Sequence, residues 1–96
     1  MDESDYEVGF FYFRIRNYPG AIDRFSQILK QDPAFSSRDA VYFYLAESFI
    51  KLKREAEALP LYEKLLQEFE QSEFLSEAQK RVTELKALAQ AKSSGG

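Results

Sequence analysis

The feature that most constrains the fold of this chain is an internal repeat. The segment DYEVGFFY (residues 5–12) aligns with YFYLAESF (residues 42–49), and the same shift of 37 residues places AIDRF (21–25) over ALPLY (58–62). In the first alignment Val8 falls on Leu45, Gly9 on Ala46 and Tyr12 on Phe49. A fixed period of this length is typical of proteins in which each repeat is one supersecondary unit. The sequence therefore predicts two copies of one helical hairpin.

The predicted fold is all-α, with two hairpins and a C-terminal capping helix. Breaks in the apolar pattern place helices over residues 5–16, 19–31, from the segment SSRD to residue 52, and over 55–69. The corresponding boundaries are an N-terminal tail at 1–4, a first hairpin at 5–36, a second hairpin at 37–71, a capping helix at 72–91 and a flexible tail or expression scar at 92–96.

Local residues predict how the second and third helices begin. Pro19 has the fixed φ angle that suits the first turn of a helix, with Asn17 or Tyr18 as the cap. Ser36 and Asp39 have the spacing of a capping box at the start of the third helix.

Two further features concern the last two helices. Pro60 lies beyond the first turn of the fourth helix, so we expect a bend or a delayed start there. The capping helix should bury one narrow apolar stripe, formed by Leu75, Ala78, Val82, Leu85 and Ala89.

Charge and composition argue against several classes of function. The formal net charge is −3, and Lys and Arg are interleaved with acids, so no basic stripe is available for nucleic acid. No apolar run approaches the roughly 18 residues of a membrane span, and the acidic start differs from a signal peptide. We expect a soluble, untargeted chain without membrane contact. Because it has no His and no Cys, we also expect no catalytic activity, metal or cofactor.

Both hairpins resemble the tetratricopeptide repeat, whose pattern is W-x2-L-G-x2-Y, then A-x3-F, then P. The residues that match are Val8, Gly9, Tyr12, Ala21, Phe25 and Pro33 in the first copy, and Tyr42, Leu45, Ala46, Phe49, Ala58 and Tyr62 in the second. Asp5 stands in place of the Trp, and Glu70 replaces the second Pro. The resemblance implies an α-solenoid that binds other proteins, in which Gly9 and Ala46 let paired helices approach closely.

A narrower resemblance rests on the long period, the RDA that opens the second hairpin and the ending FLSEAQKRVTEL. Over residues 6–88 the chain resembles the C-terminal repeats of BamD (YfiO-type) lipoproteins of the outer-membrane β-barrel assembly machine. The resemblance implies a parent protein at the periplasmic face of the outer membrane, with the POTRA domains of the central barrel-assembly subunit as its partner. The lipobox Cys and the earlier repeats of that family are missing, so membrane anchoring is not carried over to this chain.

Candidate partner-binding residues follow from helical offsets. The concave groove of the solenoid is predicted to be lined by Tyr6, Phe10, Phe13, Phe43, Glu47 and Ile50. This lining lacks the Lys and Asn with which some tetratricopeptide domains clamp a terminal carboxylate. An alternative is that Phe10, Phe13 and Phe43 cover a preceding repeat or the chain's own N-terminus, and we favour this interpretation for Phe11 and Ile15.

Arg38 is the remaining candidate. A cation at the first residue of a helix opposes the macrodipole, so Arg38 has no evident local duty. Together with the RDA resemblance, this predicts that Arg38 binds a carboxylate on the partner. Two alternatives stay open for the whole chain, namely a generic adaptor that binds a peptide in its groove and a fragment that forms a homodimer through its first helix.

Overall fold

The structure is a computed structural model that describes the backbone of residues 2–95 and the side chains of residues 5–91. This part of the chain contains five helices, α1 (Asp2–Arg14), α2 (Tyr18–Gln31), α3 (Arg38–Lys51), α4 (Glu55–Glu68) and α5 (Leu75–Gly95). Each helix packs on the next one along the chain, and α1 also contacts α3. The predicted all-α array of two hairpins, α1–α2 and α3–α4, followed by a fifth helix is confirmed.

The helix boundaries differ from the prediction at both ends of the chain. α1 begins at Asp2, inside the predicted tail, and ends at Arg14 because the φ angle of Arg16 is 66°, outside the right-handed helical region. α5 continues to Gly95, through most of the segment predicted as a flexible tail. Met1 and Gly96, the outermost residues of the two predicted tails, lie outside the described residues.

The 37-residue period of the sequence is reproduced by the backbone. α3 and α5 begin at Arg38 and Leu75, which are one period apart. Arg16 and Lys53 are also one period apart, and both have a left-handed φ angle, 66° and 62°, in the turn inside each hairpin. α5 therefore occupies the position that the first helix of a third repeat would take.

The starts of α2 and α3 use different chemistry. Asn17 caps α2, and its side-chain oxygen accepts a backbone N–H of the first turn at 3.2 Å. The capping box predicted from Ser36 and Asp39 is wrong, since Ser37 is the N-cap of α3 and makes no side-chain cap hydrogen bond. The carboxylate of Asp39 instead accepts a hydrogen bond from the Ser72 hydroxyl at 2.7 Å, which ties α3 to the segment before α5.

Pro60 does not delay the start of α4. The helix begins at Glu55 and continues through Pro60, so of the two expected alternatives the late start is wrong and the bend stays a prediction. Ala58 and Tyr62, on either side of the proline, are completely buried. Their burial on the core side of α4 offsets the one backbone hydrogen bond that Pro60 cannot donate.

The core has two parts that meet along α3. The first joins the α1–α2 hairpin to α3 and is built on Ala21, Phe25, Ile28, Phe35, Val41 and Leu45. The second joins the α3–α4 hairpin to α5 and is built on Tyr42, Phe43, Ala46, Ala58, Tyr62, Leu65, Ala78, Val82 and Leu85. One face of α3 thus belongs to each part, which is the packing expected of a helix inside a solenoid.

Two predicted packing features are found in this core. A Cβ atom added at Gly9 would lie 2.8 Å from the Phe25 ring, so Gly9 is a point of close approach between α1 and α2. Of the predicted α5 stripe, Ala78, Val82 and Leu85 are buried, whereas Ala89 is exposed and lines an open cleft beside the turn between α3 and α4.

Candidate protein-binding surface

Tyr6, Phe10 and Phe13 form a continuous aromatic row on α1. Tyr6 and Phe10 have ring centroids 6.1 Å apart, and Phe10 and Phe13 have centroids 6.4 Å apart. Phe10 stacks on Tyr44 of α3 at 4.8 Å, and Phe13 meets the same ring edge-on at 5.3 Å. All four side chains remain partly exposed. Sequence reasoning found the three residues of α1 but missed Tyr44, because the run YFY did not indicate which aromatic residue faces α1.

An open cleft of about 690 Å³ lies beside this row, and we call it the α1–α3 cleft. Its aromatic wall consists of Phe10, Phe13, Tyr18 and Tyr44, and its rim consists of Arg14, Arg16 and Lys51. The three rim cations are exposed. None of them forms an ion pair with any residue in the described part of the chain. Sequence reasoning missed the rim, because its members come from two helices and a turn.

Phe43 does not line an open groove, in contrast to the prediction, and Ile50 is only partly exposed. Phe43 is buried and stacks on Phe74, in the segment before α5, with ring centroids 4.8 Å apart. Ile50 is partly buried and packs against the second part of the core. α5 and the segment before it close the side of the second hairpin where the groove was expected.

Glu47, also predicted to line the groove, is the centre of a buried polar network. Its carboxylate accepts a hydrogen bond from the Tyr62 hydroxyl of α4 and another from Arg81 Nε of α5, the latter at 2.9 Å. Burial and the hydrogen bond to Glu47 raise the pKa of Tyr62 well above its ordinary value of 10.0. Burial lowers the pKa of Arg81, but the hydrogen bond and charge of Glu47 outweigh it, so this pKa is raised overall. The network joins three helices.

The polar network and the aromatic row stand at equivalent positions of the repeat. Glu47 is one 37-residue period after Phe10, and Arg81 is one period after Tyr44. Phe10 stacks on Tyr44 between α1 and α3, and Glu47 binds Arg81 between α3 and α5. The same backbone positions therefore carry an aromatic contact in one layer and an ion pair in the next.

Arg38 has structural contacts that its position in the sequence did not suggest. Its Nη2 atom lies 3.5 Å from the Glu68 carboxylate and donates to the Tyr42 hydroxyl at 3.2 Å. The guanidinium carbon lies 5.4 Å from the centre of the Phe69 ring. The expectation that Arg38 has no duty within the fold is wrong, because it ties the start of α3 to the end of α4. Its role in partner binding stays a prediction.

Phe11, on a different side of α1, and Ile15, directly after its end, are the most exposed large apolar residues of the first hairpin, at 55% each. The residues one period later, Ser48 and Leu52, are buried and partly buried respectively. The surface that is exposed at Phe11 and Ile15 is therefore more buried at the equivalent positions of the second hairpin.

Comparison with known proteins supports the repeat. Residues 40–72 match the family of tetratricopeptide repeats, over nearly all of the α3–α4 hairpin. No curated protein matches the chain. The matched hairpin, its copy one period earlier and the stacked helices together indicate an all-α helical-repeat fold. The match concerns the repeat in general and does not single out BamD-type lipoproteins.

Two kinds of feature are absent from the described residues. None of their helices has the length and apolar character required to cross a bilayer. Within the same part of the chain, no group of acidic side chains is arranged to hold a metal ion.

Proposed function

We propose that this chain is a non-enzymatic protein-interaction module that binds a segment of another protein in the α1–α3 cleft. The observation that carries the proposal is the partly exposed aromatic surface of Phe10, Phe13 and Tyr44 beside an open cleft. The equivalent layer of the second hairpin is closed by α5. Aromatic side chains that remain accessible next to a concavity are typical anchors for a protein ligand.

The test of this proposal is selection of ligands from a peptide library displayed on phage, with the immobilised chain as bait. We expect an enriched family of peptides that bind the parent and lose binding to Phe13→Ala. The matched control is Phe11→Ala, on the other side of α1, which should retain every selected peptide. Selection that enriches no peptide family, or peptides that bind both variants equally well, would contradict a binding site in the cleft.

We further propose a BamD-like role for the parent protein, in which the module docks on POTRA domains at the periplasmic face of the outer membrane. This finer role is supported by the RDA segment and the ending FLSEAQKRVTEL alone. Arg38 is the residue that we assign to this contact. Its side chain is 24% exposed beside the turn that precedes α3, so a partner carboxylate can reach it.

Titration calorimetry of the chain with a POTRA fragment tests the finer role. We expect binding by the parent, and a loss of about 2 kcal/mol of binding free energy for Arg38→Glu. Because this change also places a carboxylate beside Glu68, a thermal melt of each protein must accompany the titration. Absence of binding by the parent would leave the general interaction module as the only proposed function.

A second candidate function is self-association through α1. It is favoured by the exposure of Phe11 and Ile15, at 55% each. We expect a homodimer that shifts towards monomer in Phe11→Glu, because a charge replaces an apolar contact. Light scattering over a concentration series measures this, and a monomeric mass at every concentration would exclude it.

A further inference from the structure

We propose that the ligand of the α1–α3 cleft is an acidic segment of the partner protein, with an apolar side chain against the aromatic wall and carboxylates on the basic rim. This inference rests on the proposed function, since it names the chemistry of the partner at that same site.

The first argument is charge. The rim cations Arg14, Arg16 and Lys51 have no ion pair in the described part of the chain, and no acidic side chain lines the cleft. Of the nine other cations with described side chains, six lie against carboxylates, as Arg54 does against Glu57 at 2.6 Å, and Lys30, Lys53 and Lys80 do not. The cleft differs in that three unpaired cations line one concavity. The chain carries a net charge of −3, so this cleft is a local reversal of the overall sign. Such a site attracts a negatively charged ligand, because no carboxylate lines the cleft to repel it.

The second argument is that the equivalent positions one period later are less basic. Arg14 and Arg16 recur as Lys51 and Lys53, but Glu55 stands one period after Tyr18, and Leu88 stands one period after Lys51. These four later positions therefore hold two cations and one acid, where their counterparts in the α1–α3 cleft are three cations and no acid. The repeat pattern accounts for part of the basic rim, and its excess of positive charge is a feature of this cleft.

The third argument concerns the wall. Phe13 lies edge-on to Tyr44 at 5.3 Å and to Tyr18 at 5.7 Å, so rings of different orientation enclose one apolar surface. A cleft of about 690 Å³ has the size of an ordinary ligand site. An apolar side chain gains contact with the rings, while its acidic neighbours reach Arg14 or Arg16, whose planar guanidinium groups suit carboxylates.

Nucleic acid is the other class of ligand that aromatic rings and cations can bind. The observations favour a protein segment, because affinity for nucleic acid depends on neutralising a continuous row of phosphates. Among the described side chains, three cations line the cleft, and the chain as a whole is acidic.

Arg14 and Lys51 also have an ordinary role, since each lies in the last turn of its helix and complements the macrodipole. Arg16 does not share this role, because it lies beyond the end of α1 with a φ angle of 66°. Glycine adopts this conformation without strain. Lys53, with a φ angle of 62°, is its equivalent in the second hairpin and lines a different cleft. Arg16→Gly and Lys53→Gly are thus a matched pair that should stabilise the fold alike.

The experiment is fluorescence anisotropy with a short fluorescein-labelled peptide in which glutamates flank one phenylalanine. Its C-terminus is an amide, so only side-chain carboxylates are offered. The comparison probes carry glutamine or lysine in place of glutamate, or alanine in place of phenylalanine, and a labelled oligothymidylate represents nucleic acid. Each probe is titrated with the parent, Arg16→Gly and Lys53→Gly at low and high salt, and all three proteins are melted.

We expect the glutamate peptide to bind about tenfold more tightly than the glutamine peptide, as a charge-assisted contact predicts. Added salt should reduce this preference. Arg16→Gly should weaken binding about fivefold, as expected for the loss of one rim contact. Lys53→Gly should leave binding unchanged, although both variants melt higher than the parent. The alanine peptide should bind more weakly than the phenylalanine peptide.

Several outcomes would overturn the inference. Equal binding of the glutamate and glutamine peptides would remove the preference for acid, and equal effects of the two glycine variants would remove Arg16 from the site. Tighter binding of oligothymidylate than of the peptide would point to nucleic acid. If the glutamate peptide fails while neutral peptides selected on phage bind, the interaction module stands and the acidic ligand is rejected. If no peptide of any kind binds, both proposals fail.

Discussion

The layer between α1 and α3 and the layer between α3 and α5 are built at the same positions of the repeat, yet one is open and the other closed. In the first, Phe10 stacks on Tyr44 and both remain partly exposed. In the second, Glu47 is buried and bound by Arg81. An aromatic pair tolerates partial exposure, whereas a buried carboxylate requires hydrogen-bonding partners that enclose it. The repeat thus sets where a layer lies, and its chemistry decides whether a ligand can reach it.

The largest expected effect comes from removing the centre of the closed layer. Glu47→Ala leaves the Tyr62 hydroxyl without its acceptor and Arg81 without its partner, so we expect a loss of about 3 kcal/mol of unfolding free energy. Phe10→Ala, the equivalent change in the open layer, should cost clearly less because Phe10 is already partly exposed. Urea denaturation of both variants measures the difference, and equal costs would show that the two layers do not differ in this way.

The next effect tests whether the paired helices approach closely at the same position of both hairpins. Gly9→Leu and Ala46→Leu each place a large side chain where paired helices approach closely, and each should cost about 2 kcal/mol. The structural reason is the 2.8 Å approach of the Phe25 ring to an added Cβ at Gly9 and the complete burial of Ala46. Thermal melts compare the variants. If Ala46→Leu melts at the same temperature as the parent, the close approach at Gly9 has no equivalent at Ala46.

Alkaline pH should weaken the closed layer. The folded state binds the Tyr62 proton more tightly than the unfolded chain, whose tyrosine titrates near 10.0. Above that pH the native state therefore carries more protons than the unfolded state. Tyr62 then lowers the free energy of unfolding by about 1.4 kcal/mol per pH unit, and it has no effect on stability at lower pH.

The control for this pH effect is a pair of variants. Tyr62→Phe should flatten the decline in unfolding free energy above pH 10, because its titrating hydroxyl is gone. Burial also raises the pKa of Tyr44, followed by the charges of Glu73 and Glu47, but Tyr44 is partly exposed, so Tyr44→Phe should flatten the decline less. Urea denaturation of the parent and both variants across a pH series measures this decline. Identical slopes of unfolding free energy against pH for the parent and Tyr62→Phe would contradict the assigned network.

The smallest expected effect comes from replacing the polar network of the closed layer by aromatic residues like those of the open layer. The triple variant Glu47→Phe, Tyr62→Phe and Arg81→Tyr replaces the whole network by aromatic residues. We expect its stability to remain within about 1 kcal/mol of the parent, because apolar residues often replace a buried ion pair without loss. Urea denaturation measures it. A loss as large as that of Glu47→Ala would show that the polar network contributes more than the satisfaction of its own groups.

Much of the fold was predictable because the repeat is a local and periodic signal. The shift of 37 residues identified both hairpins and the close approach at Gly9, which the structure reproduces. Helix ends were harder to predict where distant residues compete for a cap. Asp39 has the right spacing for a capping box, but Ser72 binds its carboxylate instead. Pro60 remains inside α4 because buried neighbours outweigh one missing hydrogen bond.

The candidate site was only partly predictable. Tyr6, Phe10 and Phe13 share one side of α1 by helical spacing, so the sequence indicated them together. Tyr44 could not be chosen from its aromatic neighbours, and the rim needed the relative placement of three segments, the ends of α1 and α3 and the turn at Arg16. Arg38 was expected to be free for a partner. Its contact with Tyr42, four residues later on α3, follows from helical spacing, but the carboxylate of Glu68 belongs to α4 and reaches it only in the tertiary structure.

The sequence by itself determined the period, the close-contact positions and the aromatic row on α1, because these depend on residues within one hairpin and recur at fixed spacing. Only the tertiary structure decided which of the equivalent layers stays open. Arg81 reaches Glu47 across 34 positions of the chain and Phe74 covers Phe43, contacts that form only once α5 packs against the second hairpin. The period sets which positions meet, but it does not set whether the side chains there become buried, so Phe43 and Glu47 belong to the core while Phe10 and Phe13 remain accessible.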